Sequence, residues 1–466
     1  MKLDLNTLPD FKVSSCFSSD MVLQRDCEIA VYGFSKHVGS TVYGTWNGEN
    51  VSTNVDGDGN WKLLFAPRKA NKTPSDIEIR CEYGSAVLEN VLVGDVWLIG
   101  GQSNAEHTLA ACIETTPWLE TEFDENMNFR IFAQSQAGAY AHSEFHTNPA
   151  RDVIEENWRW KKPSRENSLE FSAIGYYFGY ELSKKTDVPL GLVMICAGGA
   201  TLAELMPPDY AKEKGIEYVG NVPIGGYFNT LIYPFIGMKF YGQIFYQGES
   251  EGILPDYARK YGSLLKTFME NERAFFQNDF PLYNVQLSSY REEGKQFFKY
   301  LEYVRACQYA AMDEIDNYHL IVSRDLGAIP EFEEWAHSKY KYRIGLRLAR
   351  SIGKYEYGLC ADEVVDSPYV RNVTRSGNAV TVEFTDSLAL HEGDTLTGFG
   401  FTRSAENDIP VAAEARITGA NRVEVQIPAG IEPYCVCYAL LSLAYWRDAN
   451  LCGSTGLSVP TFVIKV

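Results

Sequence analysis

The chain has 466 residues, of which 45% are apolar and 13% aromatic, so it is long enough for two or three domains and is not mainly disordered. Its 42 basic and 61 acidic residues give a formal net charge of -19, and no stretch is rich in lysine or arginine. This balance argues against nucleic acid and anionic membrane surfaces as partners, because both require their phosphates to be neutralised.

The first residues, MKLDLNTLPDFKVSS, lack the basic and apolar segments of a secretory signal, and no run of about eighteen apolar residues occurs. We therefore expect a cytoplasmic protein that does not span a membrane. The 10 cysteines include no C-x-x-C pair. This spacing predicts reduced and mostly buried thiols, and it predicts neither a metal site nor a disulfide framework.

The first ninety residues are predicted to form a small β-domain. Short β-rich segments occur at residues 28–34, 40–46 and 60–65, separated by turn sequences such as DGDG at 56–59. We place the end of this domain at residue 90, where the pattern of the sequence changes.

Residues 91–355 alternate between apolar strands and longer helical stretches, which is typical of a doubly wound α/β domain. The predicted strands lie at 91–99, 188–195, 242–246, 281–287 and 318–323, and the predicted helices at 171–185, 256–278, 297–312 and 339–353. A long excursion separates Glu106 from Glu170. Residues 356–466 lose the helical periodicity and are predicted to form a second β-rich region, with strands at 378–384, 422–427, 435–441 and 460–466.

Three loops rich in small and polar residues follow strands of the α/β domain, where ligands bind in open sheets of this kind. They read GGQSN at 100–104, CAGGAT at 196–201 and YQGESE at 246–251. Ser103 follows a strand and precedes a helical pattern, so its hydroxyl can stand above the sheet as a nucleophile. An N-cap serine is an equally good interpretation of that position alone.

A serine nucleophile needs a base, which is most often a histidine oriented by a carboxylate. Of the 7 histidines, His337 is the best candidate, because it lies in a loop after a strand and Glu334 stands three residues before it. His107 is one helical turn past Ser103, a poor angle for taking its proton. The others lie in β regions or in the long excursion: His37, His142, His146, His319 and His391.

Ordered motifs run through the whole chain and resemble those of the sialate O-acetylesterase-like carbohydrate esterases, a branch of the SGNH (GDSL-like) hydrolases. They are MVLQR at 21–25, GDVWLIGGQSN at 94–104, FSAIGYYFGYEL at 171–182, VPLGLV at 188–193 with the GG that follows, YQGESE at 246–251, H-x3-K-x2-IG-x-RLA at 337–349, AEARITG at 413–419 and ANL at 449–451. The resemblance implies a central SGNH-type α/β/α domain with a flavodoxin-like parallel sheet, flanked by N-terminal and C-terminal β-rich regions.

The resemblance also implies the site. Ser103 corresponds to the nucleophile and His337 to the base, with Glu334 as its orienting acid. The oxyanion hole would combine the backbone N–H groups of Ser103 and Gly199 with the side-chain amide of Gln247. The expected reaction removes acetyl groups from sugar hydroxyls without a metal or organic cofactor, and the predicted substrate contacts are Asn104, Glu249 and Glu251.

Two departures from the family pattern bear on these expectations. Glu251 replaces an asparagine and places an extra negative charge near the site, which favours neutral hemicellulose-type oligosaccharides over a sialic acid with its own carboxylate. Glu334 stands where many relatives have aspartate, and Asp325, at the end of a predicted strand, is a rival for the orienting role.

A carbohydrate-binding protein without turnover is the alternative from another class. It would use the two β regions and the many aromatic residues, 29 Tyr, 25 Phe and 8 Trp, as surfaces on which sugars stack. Activity on 4-nitrophenyl acetate distinguishes the two hypotheses. The sequence carries no signal for an oligomeric state.

Overall fold

The structure is a computed structural model that describes residues 5–112, 123–124, 126–290, 299–327, 337–404, 409–441 and 448–466. Three groups of elements follow one another along the chain. Within the described ranges, no helix combines the length and the apolar character needed to cross a bilayer.

The bounds of the elements are as follows. The N-terminal region forms β1 Lys12–Val13, β2 Val22–Gln24, β3 Ile29–Phe34, β4 Thr41–Trp46, β5 Glu49–Asn54, β6 Asn60–Phe65, β7 Asn71–Cys81 and β8 Gly84–Gly101. The central region continues with α1 Ser103–Glu106, β9 Phe129–Ala133, α2 Gln136–Ala141, α3 Arg165–Leu169, α4 Ala173–Ser183, β10 Leu190–Cys196, α5 Pro208–Glu213, β11 Gly242–Tyr246, α6 Pro255–Phe276, β12 Leu282–Gln286, α7 Leu301–Ala310, β13 Tyr318–Val322 and α8 Lys341–Tyr357. The C-terminal region forms β14 Val370–Ser376, β15 Ala379–Phe384, β16 Leu388–Leu390, β17 Phe399–Thr402, β18 Val411–Ala412, β19 Ala415–Gly419, β20 Arg422–Gln426, β21 Cys435–Tyr438, β22 Leu451–Gly453 and β23 Phe462–Lys465.

The central sheet is parallel, with the strand order β9-β10-β8-β11-β12-β13. Every residue of β10, β11 and β12 is buried, which explains why these strands are continuous apolar runs in the sequence. Apart from the edge strand β9, the order is that of flavodoxin-like sheets. In these sheets the second strand lies on one side of the first strand, and the later strands are added on its other side. The predicted fold class is therefore confirmed.

Strand β8 is longer than its predicted counterpart and belongs to two parts of the sheet. Its first half pairs antiparallel with β7, and its second half pairs parallel with β10 and β11. The boundary that we placed between residues 90 and 91 lies inside this strand. One hydrophobic core runs through both regions, and it includes buried residues from both halves of β8, such as Leu88 and Ile99. The C-terminal strands have a separate core.

Three strands near β8 were not predicted. β9 lies in the long excursion as the short run FRIFA, β2 is three residues long and pairs parallel with β8, and β7 is mostly polar. Each is short or lacks clear alternation, so tertiary pairing decides its conformation.

The C-terminal region docks on the central domain through buried arginines. Arg305 of α7 donates to the Leu441 carbonyl at 2.5 Å and to Thr461 Oγ1 at 3.2 Å. Arg324, directly after β13, donates to the Val459 carbonyl at 3.2 Å. Both side chains are fully buried, so each guanidinium depends on these acceptors for its solvation.

An ion pair joins the N-terminal region to the base of the central strand. Asp95 of β8 is fully buried and accepts two hydrogen bonds from Arg25, at 2.8 and 2.9 Å, in the bidentate geometry that suits a guanidinium. The Tyr357 hydroxyl, at the end of α8, donates to the same carboxylate at 2.9 Å. The MVLQR and GDVW motifs therefore meet at this point, and their role is structural.

We expect Arg25→Met to destabilise the protein by roughly 3 kcal/mol, because it leaves the buried Asp95 carboxylate without its counterion. The shift of the denaturation midpoint in urea measures this effect. Arg416→Met is the matched control, since Arg416 and Glu424 form an exposed ion pair whose loss should cost less than about 1 kcal/mol. Equal midpoints for the two variants would contradict the structural role of Arg25.

Candidate active site

The three polar loops predicted to form a pocket begin at the same level of the sheet. Gly101, the last residue of β8, pairs with Cys196 of β10 on one side and with Tyr246 of β11 on the other. The loops that carry Ser103, Gly199 and Gln247 therefore leave neighbouring strand ends together. These loops lie where the strand order reverses, which is the usual ligand position in this class of sheet.

A glycine is required at the turn before Ser103. Gly101 has a φ of 131°, and a Cβ at this position would lie 2.2 Å from the Tyr246 carbonyl oxygen. The backbone of β8 can therefore approach β11 closely and then turn into α1, whose first residue is Ser103. This turn explains why a serine follows the strand directly with its hydroxyl above the sheet.

Ser103 and His337 lie within hydrogen-bond distance, although 234 positions separate them in the sequence. Ser103 Oγ is 2.7 Å from Nε2 of the His337 imidazole. The histidine lies four residues before α8, and the neighbouring Ser338 hydroxyl donates to the carbonyl of Leu326, four residues after the end of β13. A serine hydroxyl beside an imidazole nitrogen has the geometry of an activated nucleophile.

The electrostatic surroundings keep His337 neutral. Burial lowers the pKa of its imidazole to about 4, with a further contribution from the positive charges of Lys341 and Lys339. The ring of His107 lies 5.5 Å from that of His337, and burial lowers the pKa of His107 to about 3. A neutral imidazole is the form that can accept a proton from a hydroxyl.

Gly199 presents a backbone N–H group at the second loop. It has a φ of 69°, in the left-handed region, and its N–H has no hydrogen-bond partner among the described residues. The preceding Gly198 N–H donates to the Glu106 carboxylate of α1 at 2.8 Å, which holds this loop beside the helix of Ser103. The position of Gly199 is compatible with its predicted oxyanion role.

The side chain of Gln247 does not fit the role predicted for it. It is fully buried, and its Nε2 donates to the Ala200 carbonyl at 3.0 Å and to the Glu251 carboxylate at 2.5 Å. Its Oε1 accepts the Tyr261 hydroxyl at 2.9 Å. Both amide protons are committed to protein acceptors, so Gln247 joins the second and third loops and has no donor to offer an oxyanion.

Glu251 was predicted to contact substrate, and the structure corrects this. Only 1% of it is exposed, and its carboxylate accepts the Leu202 N–H at 2.8 Å as well as the Gln247 amide. Burial raises the pKa of Glu251 to about 7. The side chain therefore fixes loops and does not place an exposed negative charge at the pocket.

Asn104 and Glu249 are also buried, and they bond to each other. Asn104 Nδ2 donates to Glu249 Oε1 at 2.5 Å, while Asn104 Oδ1 accepts the Lys341 ammonium at 2.5 Å. Neither side chain is exposed enough to be a substrate contact, since 2% of Asn104 and 4% of Glu249 are accessible. The physical reason is that both point down into the domain from the loops that the sequence identified.

The orienting acid of His337 was left open between two residues. Glu334 lies outside the described residues. Asp325 is paired bidentately with Arg347, at 2.8 and 2.6 Å, and accepts the Ser458 hydroxyl at 2.8 Å. It thus links β13 to α8 and to the C-terminal region, and none of its hydrogen bonds reaches His337.

Three residues that hold the site together were given no role by the sequence analysis, although Gln102 and Lys341 lie within its motifs. The Gln102 side chain accepts hydrogen bonds from the N–H groups of Gly248 and Ser250. The Glu204 carboxylate accepts four backbone N–H groups, those of Thr201 in the second loop and of residues 220–222. Lys341 is completely buried beside the catalytic candidates. The helical periodicity of the sequence could have indicated this burial, because Lys341 lies on the same helical face as Ile344 and Leu348.

No group of three or more His, Cys, Asp or Glu side chains with the arrangement of metal ligands occurs among the residues that the structure describes. Cys435 and Cys437 lie on the buried strand β21, where they occupy the same face.

Comparisons with known proteins find acetylesterases with similar sequences. The sialate O-acetylesterase of Homo sapiens is 27% identical over 314 residues, which cover 60% of this chain and 57% of that protein. The Mus musculus sialate O-acetylesterase is 25% identical over 366 residues, covering 66% and 65%. The chain thus spans about three fifths of the length of these relatives.

A solved structure has the same fold over almost the whole chain. A carbohydrate acetylesterase from Xanthomonas citri superposes with a TM-score of 0.81 and 24% identity, covering 97% of this chain and 99% of that one. The family model described as carbohydrate esterase, sialic acid-specific acetylesterase matches residues 93–354, more than half of the chain and all of the site described above. On this match, the chain belongs to that family of carbohydrate esterases.

Proposed function

We propose that the protein is a serine-dependent carbohydrate O-acetylesterase, which hydrolyses acetyl esters on sugar hydroxyls. The observation that carries the proposal is the 2.7 Å contact between Ser103 Oγ and His337 Nε2 at the strand reversal of the central sheet. The names of its relatives, which are acetylesterases of sialate or of other carbohydrates, agree with this reaction. A protein that only bound sugars would not need an activated serine.

In the proposed mechanism, the neutral imidazole of His337 takes the proton of Ser103 as Oγ attacks the acetyl carbonyl carbon. The oxyanion that forms accepts hydrogen bonds from the N–H groups of Ser103 and Gly199. His337 then returns its proton to the leaving sugar oxygen, and the acetyl group stays on Ser103. Water, deprotonated by His337, attacks the carbonyl carbon of this ester. The bond from that carbon to Ser103 Oγ then breaks, the proton passes from His337 to Oγ, and acetate leaves.

The low pKa of His337 keeps the imidazole in its proton-accepting form and also makes it a weak base. A base with a pKa of about 4 is already deprotonated at neutral and mildly acidic pH, so activity does not require an alkaline medium. The imidazolium that forms during the reaction must then be stabilised by an orienting carboxylate, which we propose to be Glu334.

For the substrate, we propose O-acetylated oligosaccharides. The expectation that hemicellulose fragments are preferred over sialates rested partly on an exposed charge at Glu251, and this argument falls because Glu251 is buried and bonded inside the protein. Acetate release from acetylated xylan, mannan and pectin oligosaccharides, compared with O-acetyl sialic acid, distinguishes these substrates. Absence of release from all of them, and from 4-nitrophenyl acetate, would favour the binding protein.

Ser103→Ala should lower kcat by at least about a thousandfold with the fold intact, because the nucleophile and its base act as a unit. Turnover of 4-nitrophenyl acetate measures the loss, and circular dichroism checks the fold. Ser263→Ala, on an exposed position of α6, is the control and should retain full activity. Activity of the Ser103 variant close to that of the unmodified protein would refute the proposed mechanism.

Glu334→Gln should lower kcat strongly, because an amide can donate to Nδ1 of His337 and favour the wrong tautomer. Asp325→Asn should instead lower the denaturation midpoint with a much smaller effect on kcat, since Asp325 holds Arg347 and Ser458. The kcat and the denaturation midpoint are measured for Glu334→Gln and for Asp325→Asn. The reverse pattern would assign the orienting role to Asp325.

A further inference from the structure

Lys341 is the buried charge that the proposed mechanism does not use. It is the first residue of α8, four positions after His337, and its side chain has no solvent exposure. An ammonium group in such a place is unfavourable unless its charge and its protons are compensated. Its compensation comes from the two other catalytic loops.

The hydrogen bonds of Lys341 form a chain through the centre of the site. Its Nζ donates to Asn104 Oδ1 at 2.5 Å, and Asn104 Nδ2 donates to Glu249 Oε1 at 2.5 Å. The direction of the amide is fixed by chemistry, because an ammonium group only donates and a carboxylate only accepts. The ring of Tyr246 lies 5.0 Å from Nζ, an additional favourable contact for the cation.

Each member of this chain belongs to a different loop of the site. Asn104 is the residue after Ser103, Glu249 follows β11 in the third loop, and Lys341 terminates the segment that carries His337. The chain therefore joins the segment of the candidate base to the turn of the candidate nucleophile. The hydrogen bond between Ser103 and His337 forms only within a narrow range of distances, so it depends on how accurately these two segments are held together.

We propose that Lys341 is a positioning residue, which acts with Asn104 and Glu249 to hold the segment of His337 against the turn of Ser103 and to keep a positive charge beside the base. The proposal rests on the esterase function proposed above. Lys341 does not contact substrate in this role. It acts on the reaction through His337.

The charges around His337 determine the sign of its effect on the base. Among the described residues, the groups that face this histidine are Ser103 on α1, His107 after α1 with Cys112 beside it, and Lys339 and Lys341 on its own segment, with Glu249 behind Asn104. Glu334, which we propose as its orienting carboxylate, is the same in every variant compared below. Positive charge beside the imidazole disfavours its protonated form and lowers its pKa. Removal of the Lys341 charge should therefore raise the pKa of His337.

The test compares Lys341→Met, Lys341→Arg and Glu249→Gln with the unmodified protein. Lys341→Met should lower kcat by about a hundredfold with KM nearly unchanged, and should move the acid limb of the kcat/KM profile to higher pH. Lys341→Arg should restore part of kcat and keep the limb in place. Glu249→Gln removes a charge of the opposite sign, so it should not move the acid limb to higher pH. General disruption of the site would instead move the acid limb to higher pH in both Lys341→Met and Glu249→Gln.

Lys339→Gln is the matched control. Lys339 is a neighbouring lysine on the same segment and is partly exposed, so its loss should lower kcat less and move the limb less than Lys341→Met does. If Lys341→Met does not fold, the double variant Lys341→Met/Glu249→Gln, which removes both buried charges, is used for the same measurements.

A second readout does not depend on turnover. The imidazole nitrogen resonances of His337, identified by their absence in His337→Asn, are titrated by NMR in the unmodified protein and in Lys341→Met. A higher His337 pKa in Lys341→Met supports the positioning role even if the protein releases no acetate. Absence of acetate release would refute only the proposed esterase function. Unchanged kcat, pH limb and NMR titration in Lys341→Met would overturn it.

Discussion

The close approach of β8 and β11 at Gly101 is the constraint on which the site depends. A Cβ at residue 101 would overlap the Tyr246 carbonyl, so only a glycine allows the central strand to end beside both of its neighbours. Because this end is shared, the loops after β8, β10 and β11 leave the sheet together. Ser103 is then held by a strand that is buried on both faces and paired on both sides, which gives it a rigid support.

The rest of the site is supported by buried polar residues. Gln102, Gln247, Glu204 and Glu251 use their side chains to satisfy backbone groups of the neighbouring loops, in place of the hydrogen bonds that helices and strands would supply. A buried polar group is costly when one of its partners is missing, so these residues specify one loop conformation. Residues that looked like substrate contacts in the sequence are the framework that holds the loops of the pocket.

The flanking β regions contribute to this framework. The N-terminal region shares strand β8 and the Arg25–Asp95 ion pair with the central domain. The C-terminal region contacts Arg324 and Asp325, which begin the segment leading to His337. The positions of both candidate catalytic residues thus depend on parts of the chain that carry none of the chemistry.

The sequence by itself determined the fold class and the two residues of the central contact. Strands buried on both faces are continuous apolar runs, and the glycine-rich turns that follow them stand out locally, so Ser103 and the three loops could be predicted from short-range patterns. His337 was found because few histidines lay in a suitable loop and because the motifs resembled a family. The direction of each side chain could not be predicted: Gln247, Glu249 and Glu251 all follow β11, and their burial depends on groups distant in the chain. Three features were decided by tertiary structure alone: the hydrogen bond from Lys341 to Asn104, the ion pair of Asp325 with Arg347, and the extension of β8 across two predicted domains. Each results from pairing between segments whose local sequences carry no signal for one another.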